Sequence, residues 1–548
     1  MTARFALLLC SQRPAAQLGL LLAITGALLL PMLWIGFIND DVAYISLFFQ
    51  NNAPNPWRLL TSAGVTEDYY RPLSEISSAV DFWLWGWNPI GFRLTNLLLH
   101  LAATALVFRL ATQWFGGAFL PFAAGLFFGL LPVHETSILW IPGRTDMLCA
   151  VFYLGSVSCL TEYATNNNLR NQWLALGLFL LALLSKEMAF SLPLVLVPAL
   201  WWVGRRHGRP LGFQRIARIV LPFLLLAAGV VVARWLLLDN NLLFGRNGPH
   251  TETNILHIAR NMAMFLAALV VPTGLYQLEE WLAAYPLVVV GIGTAVAAAA
   301  AWVAWRNRSS LVPLLLPAAW ILLTLLPVSR LMMRWYLYIP SVGFSIGLAW
   351  AVRWACQNNR QLRNSVASAI ALLYAGILAF TVSQWISASN VAERLVAQLQ
   401  REVRVGGGAD TIYVASSLAR IQTVPVFHLG FQKTLQLAFG NDSLVVGMWS
   451  RFVADRYPSS IKYRYDSVAG IVHLSAKRGG YFLLMGEAVQ GDDGRSMVTA
   501  ITDAGEATVV IDSLSESRKP TAITLALPTP KPRHLVVFDG ANFVVLQP

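Results

Sequence analysis

Two adjacent carboxylates, Asp40-Asp41, follow directly on the first long apolar run of the chain, 18–38. Acids are disfavoured at a helix C-terminus, where the partial charge is already negative. Such a pair at a lipid–water boundary suits a general base acting on a hydroxyl, or a metal ligand. A solvated helix terminus is the plainer alternative. A second set is Tyr69-Tyr70-Arg71-Pro72-Leu73, then Arg93, Asn96 and His100. The last three are spaced i, i+3, i+7 and share one helical face. A polar stripe on an apolar helix faces protein or a water-filled cavity, so packing and binding both stay open.

Three further sets complete the polar inventory. His134-Glu135 is followed by Trp140, Arg144 and Asp146, where the last two could pair at an interface. Such a pair at a rim is worth little. Lys186-Glu187 is bracketed by apolar residues, which makes it costly to bury and marks it as functional; a simple outer hairpin is the alternative. Arg330, Arg334, Tyr336 and Tyr338 precede Pro340. Guanidinium groups hold phosphate bidentately, and a lipid phosphate is the natural partner at a membrane surface.

The elements that must position these residues are apolar. Of 548 residues, 56% are hydrophobic and 12% charged, with a mean hydropathy of +0.56. This excludes a soluble enzyme, a disordered chain and a disulfide-stapled module, and fits a polytopic membrane protein. The four cysteines, Cys10, Cys149, Cys159 and Cys356, lie in or beside apolar stretches and imply no disulfide framework. Residues 1–386 hold 24 Lys and Arg against 14 Asp and Glu, and Lys186 is the single lysine among them. The net charge of +12 therefore sits mostly in the apolar part. It reads as positive-inside bias rather than nucleic-acid binding.

Windows of about twenty apolar residues predict spans near 18–38, 94–114, 118–133, 147–164, 172–185, 188–203, 218–238, 283–305, 310–326, 337–355 and 364–386. A short apolar segment within 239–282 reads as interfacial or re-entrant. Eleven spans with a cytoplasmic N-terminus put 14 arginines and one acid, Glu162, on the inner side. The five polar sets then all face outward. The predicted division is a membrane domain over 1–390, with a large first outer loop over 39–92, and an outer domain over 391–548. In the latter, short β-rich runs at 411–416, 470–476, 481–485, 507–514, 521–527 and 534–538 alternate with turn signals. The turns include Gly479-Gly480 and 491–494, Gly406-Gly407-Gly408 reads as a linker, and a helix is predicted over 427–439. The expected fold class is an α-helical polytopic membrane protein carrying a small α+β domain.

A carboxylate pair and several cations at an outer membrane face suit transfer from a lipid-phosphate carrier to a hydroxyl. The base takes the hydroxyl proton, and the cations stabilise the departing phosphate.

The ordered set Asp40-Asp41, 70–73, 96–100, 140–146, 184–187 and 334–341 resembles the GT-C glycosyltransferases. It resembles particularly the branch related to the transmembrane O-mannosyltransferases with tetratricopeptide repeats and to the protein O-mannosyltransferases. The resemblance covers about residues 18–390. It implies an inverting enzyme taking sugar from a polyprenyl-phosphate donor, with Asp40 as base and Asp41 placing the acceptor. It implies donor-phosphate contacts by Arg334, Arg330, Lys186, Arg144 and Tyr336. Acceptor, sugar-binding or supporting roles fall to Arg71, Asn96, His100, His134, Glu135, Asp146, Glu187 and Tyr338. Relatives often carry His where Arg93 stands, and His-Pro-x-His-x-Glu where this chain reads Leu131-Pro-Val-His134-Glu135-Thr136. The repeats give way to the small outer domain. No metal site or cofactor is expected. The expected partners are the lipid-linked sugar, a protein or cell-envelope acceptor and the bilayer, and the expected place is a bacterial inner membrane with the outer domain periplasmic. A transporter or flippase, or a non-catalytic envelope scaffold, is the alternative reading.

Overall fold

The structure is a computed structural model that describes residues 14–47, 70–237, 254–271, 312–404, 410–454, 457–476, 480–484, 487–490, 496–502, 505–515, 519–527 and 534–546. Cys10, Tyr69, most of the loop before it, the span expected over 283–305, the linker Gly406-Gly407-Gly408 and the turn residues Gly479 and 491–494 lie outside the described residues.

The chain forms two compact units. One comprises Met1–Leu33 and Asn51–Ser383, the other Trp34–Gln50 and Gln384–Pro548. The segment Trp34–Gln50 groups with the C-terminal unit because its backbone is bonded there: Asn39 N–H donates to the Val426 carbonyl at 2.7 Å.

The first unit is helical. Local sequence starts and stops its helices. Asn88 accepts from the Ile90 N–H at 3.1 Å ahead of Pro89, opening the helix Pro89–Phe115, and Gly116 at φ 65° closes it. Asn168 opens Leu169–Leu183 in the same way. Leu131 is extended before Pro132, as the ring of a following proline requires, and this bends Phe119–Leu130 by 45° from Pro132–Leu139.

Six helices among the described residues are long and apolar enough to cross a membrane: Pro14–Trp34, Pro89–Phe115, Ile141–Asn166, Glu187–Arg206, Phe213–Leu236 and Arg360–Glu402. The bent pair makes seven if it counts as one span. Leu169–Leu183, Ile255–Val270 and Val312–Val328 are shorter apolar helices. The chain is thus an integral membrane protein; among the described residues six or seven of the eleven expected spans are long and apolar enough to cross a membrane, and the span expected over 283–305 lies outside them. Ile255–Val270, at 16 residues, is about 24 Å long, short of a hydrocarbon core about 30 Å thick. The core of this unit packs Leu21, Phe122, Leu126 and Leu130 with Phe108 and Tyr374. Gly129 lets the helices meet: a Cβ there would lie 2.7 Å from Thr25 Oγ1.

The second unit is mostly sheet. Its first sheet runs in the order Phe543–Leu546, His534–Phe538, Thr411–Ile421, Ser450–Ala454, Tyr481–Leu484. Thr411–Ile421 is parallel to His534–Phe538, Val445–Met448 and Ser450–Ala454. A six-stranded antiparallel sheet runs Ile461–Asp466, Ile471–Ala476, Pro520–Ala526, Gly505–Leu514, Ser496–Thr502, Glu487–Gln490. The predicted helix over 427–439 begins only at Phe431, since the N–H groups of Val426 and Phe427 donate to the carbonyls of Ala419 and Leu418.

Candidate functional site

Asp40 and Asp41 belong to the C-terminal unit, and the chain around them is not a simple helix end. Asn39 adopts φ 59° and reverses the backbone, and Asp41 then begins a new short helix, Asp41–Leu47. The expectation that these acids stand at a helix C-terminus is corrected: Asp41 lies at an N-terminus, where the macrodipole favours it. It is fully buried, and its Oδ2 accepts from the Ile38 N–H at 3.1 Å. Asp40 is half-buried, and its Oδ1 accepts from Asn39 Nδ2 at 2.9 Å. Gly430, at φ 72°, allows the close approach: a Cβ there would lie 2.8 Å from Asp40 Cα. The two acids are therefore unequal, with Asp41 built into the backbone turn and Asp40 at its edge.

The membrane unit pairs five cations with four carboxylates, and those around Glu187 and Asp146 form a cluster. Glu187 is shared. Arg71 Nη2 donates to its Oε2 at 2.8 Å, and Arg234 Nη2 to its Oε1 at 3.0 Å. Lys186 Nζ lies 2.6 Å from Asp146 Oδ2 and 5.2 Å from the centre of the Tyr336 ring. Arg144 Nη2 lies 2.6 Å from Asp81 Oδ2. Arg334 pairs with Glu135. The cluster forms because the turn after Leu169–Leu183 is pinned to the start of Pro72–Trp85. Leu73 N–H donates to the Leu184 carbonyl at 3.1 Å, and Ser74 Oγ to the Ser185 carbonyl at 3.0 Å. Lys186 then sits in extended backbone between two helices, and Glu187 starts the turn Glu187–Ser191.

The polar stripe on Pro89–Phe115 braces backbone. Arg93 donates to the Leu139 carbonyl. Asn96 Nδ2 donates to the carbonyls of Ile138 and Trp140, at 3.3 and 3.0 Å. His100 Nε2 lies 3.1 Å from the Gly129 carbonyl, which can only accept, so that nitrogen carries the proton. Tyr338 then donates to His100 Nδ1 at 2.7 Å. Ser341 Oγ spends its proton on the Tyr338 carbonyl, so His134 Nε2 donates to Ser341 Oγ at 2.7 Å. His100, His134 and Tyr338 thus form one buried polar chain.

Several expected site residues are placed differently from one another. Arg71, Lys186, Glu187, Asp146 and Tyr336 come together. Arg144 is fully buried, its guanidinium also donating to the carbonyls of Ser77 and Phe92. Arg330 is exposed and stands apart, its carbonyl held by Asn261 Nδ2 at 3.2 Å. Sequence reasoning missed Arg234 and Asp81. A lone charge near the end of the apolar run 218–238 was the available signal for Arg234. Among the described residues, no group of three His, Cys, Asp or Glu is placed to hold a metal ion.

No protein-family model matches the chain. It is 32% identical over 216 residues to "Protein O-mannosyl-transferase Tmtc2" of Drosophila melanogaster, covering 35% of this chain and 22% of that protein. It is 35% identical over 107 residues to "Protein O-mannosyl-transferase TMTC2" of Mus musculus, covering 20% and 13%. For "Protein O-mannosyl-transferase TMTC4" of Homo sapiens the identity is 29% over 156 residues, covering 25% and 21%. The matches thus span less than a quarter of these relatives' length. Among solved structures, ArnT from Cupriavidus metallidurans bound to undecaprenyl phosphate superposes with a TM-score of 0.45 at 14% identity, over 80% of this chain and 92% of that one. The Archaeoglobus fulgidus oligosaccharyltransferase gives 0.41 at 12% identity, over 79% and 64%. In sequence the chain resembles the protein O-mannosyl-transferases, the same GT-C branch that its motifs point to.

Proposed function

We propose that this protein is a polyprenyl-phosphate-sugar-dependent glycosyltransferase acting on a hydroxyl of an extracytoplasmic protein or cell-envelope acceptor, with inversion. The acceptor oxygen forms a bond to the anomeric carbon as the bond from that carbon to the donor phosphate oxygen breaks. Asp40 takes the hydroxyl proton, and polyprenyl phosphate leaves with the bonding electron pair. Arg71, Lys186 and Arg334 are the proposed donor-phosphate contacts, with Tyr336 positioning Lys186; fixed cations in an apolar surround favour the charge that gathers on the leaving phosphate. Arg144, Asp146, Glu187, Asn96, His100, His134, Glu135 and Tyr338 support these groups.

The observation that carries this reading is the convergence of Arg71, Arg234 and Lys186 on the Glu187 turn, with Arg71 19% exposed at its edge. A cationic group reachable at one side and buried at the other suits an anionic head on an apolar tail. The accompanying topology is eleven spans, N-terminus cytoplasmic and C-terminal unit periplasmic, in a bacterial inner membrane.

The test is transfer by the purified full-length chain. Supplied with a polyprenyl-phosphate mannose and a hydroxyl acceptor, it should release polyprenyl phosphate in step with product. Absence of sugar-phosphate cleavage with every polyprenyl-linked sugar tried would reject the reading. A periplasmic reporter fused after residue 390 should be active, and one near Arg209 inactive.

A further inference from the structure

The C-terminal unit holds a cationic face that shares no residue with the groups assigned above to the transfer step. Arg451, on the strand Ser450–Ala454, is only 8% exposed. The antiparallel register sets Leu483 opposite Arg451 and Tyr481 opposite Val453. Alternation by two then brings Arg451 and Tyr481 to one face. Arg420 Nη2 donates to the Tyr481 hydroxyl at 2.8 Å, and the Lys519 ammonium stands 4.1 Å from the centre of the Tyr481 ring. Arg451 Nη1 donates to His428 Nδ1 at 3.2 Å.

Arg451 is the member that needs explaining. A buried guanidinium is costly unless a counter-charge and hydrogen bonds compensate it. Among the described residues no carboxylate forms an ion pair with Arg451, and its Nε–H has no hydrogen-bond partner. Its partner is an imidazole nitrogen. Burial holds His428 below the usual histidine range, and the charges of Arg451 and Arg420 add to the effect, so it stays a neutral acceptor. A buried guanidinium with no carboxylate partner among the described residues and a donor left over is short of an anion.

We propose that the face formed by Arg451, Arg420, His428, Tyr481 and Lys519 binds a phosphate-type oxyanion. The Arg451 fork holds an unused, buried Nε–H, and a bidentate contact to such a fork matches phosphate geometry. The Lys519 ammonium adds a point charge over the Tyr481 ring of the same face, and more than one cation suits a dianion better than a single carboxylate. His428 also lies in the stretch 426–430, whose Leu429 N–H donates to Asn39 Oδ1 at 3.2 Å and whose Gly430 packs on Asp40. Resting on the transfer reading, the oxyanion is a phosphate group carried by the acceptor and held in the unit that carries Asp40.

Full-length protein in detergent is titrated with inorganic phosphate at constant ionic strength, and binding is read by phosphorus NMR and thermal shift. Polyprenyl phosphate is present throughout, so that any phosphate site of the membrane unit is already filled. Wild type should bind phosphate, and Arg451→Gln should bind it about 10- to 100-fold more weakly, the usual effect of losing one charge-assisted contact. Arg451→Lys keeps the charge but not the fork, and should fall between. Equal affinity in either variant overturns the site, and Arg451→Lys alone decides if Arg451→Gln does not fold. A second arm compares phosphatidylcholine nanodiscs with and without phosphatidic acid. A thermal shift that needs phosphatidic acid and Arg451 assigns the oxyanion to a lipid headgroup, whereas a response to free phosphate alone assigns it to a soluble group. No Arg451-dependent response in either arm overturns the proposal. Phosphate binding without sugar transfer would leave the site standing and reject only the transfer reading.

Discussion

The ammonium of Lys186 stands 2.6 Å from Oδ2 of Asp146, and both side chains are 2% exposed. A pair this deeply buried is held by mutual need. Removing one partner strands the other charge in a low dielectric, whereas replacing both with apolar groups of similar size is close to neutral.

Lys186→Met should therefore lower stability by about 3–5 kcal/mol, seen as a reduced melting temperature of the purified protein in detergent. Lys186→Met combined with Asp146→Leu should recover most of that loss. If the double variant is stable but inactive, the charge itself serves the reaction. A single variant as stable as wild type would mean that the pair does not hold the Glu187 turn.

Arg334 tests the donor contact against its own ion pair with Glu135. Arg334→Ala should weaken donor use by about 10- to 100-fold, the worth of one charge-assisted contact. Adding Glu135→Ala removes the orphaned carboxylate. If the double variant regains stability but not donor KM, Arg334 touches the phosphate. Recovery of both assigns Arg334 to packing alone.

The carboxylates of the first turn should separate cleanly. Asp40→Asn keeps the turn and removes the base, so folded protein should lose about 10²- to 10⁴-fold in transfer rate while binding the lipid donor normally. Asp41→Ala removes the acceptor for the Ile38 N–H and should cost stability, about 1.5–3 kcal/mol for a bond to a charged group. A stable, inactive Asp41→Ala beside an active Asp40→Asn would reverse the assignment.

Tyr338→Phe deletes the hydroxyl that donates to His100 Nδ1 at 2.7 Å. The imidazole nitrogen is then left buried without a donor, at a cost of about 1–3 kcal/mol. Donor and acceptor KM should stay unchanged, since the hydroxyl braces the Gly129–His134 bend from within. A KM change without a stability change would place Tyr338 against substrate instead.

Much of the architecture was legible in one dimension. Apolar run length marked helices near most of the expected positions outside 283–305, because a bilayer demands a fixed number of residues per crossing. Alternating β-branched runs marked the strands at 471–476, 505–514, 520–526 and 534–538. Ser450–Ala454 escaped because all five of its residues are buried, which erases the period of two. Ile461–Asp466 escaped because its middle is exposed and polar.

The candidate site divides along the same line. Residue type and order alone singled out Asp40, Arg71, Asp146, Lys186, Glu187 and Arg334, since ionisable groups beside apolar runs are too costly to keep idly. Only the tertiary structure decided what each one faces. It joined Arg71 to Arg234 through Glu187, 116 and 47 residues away in the chain. It sank Arg144 onto Asp81 and left Arg330 exposed. It also gave Asp40 and Asp41 different surroundings, through a reversal at Asn39 that no hydropathy pattern encodes. Partner choice among buried charges depends on long-range backbone placement, and local sequence carries the cost of burial but not the identity of the charge that offsets it.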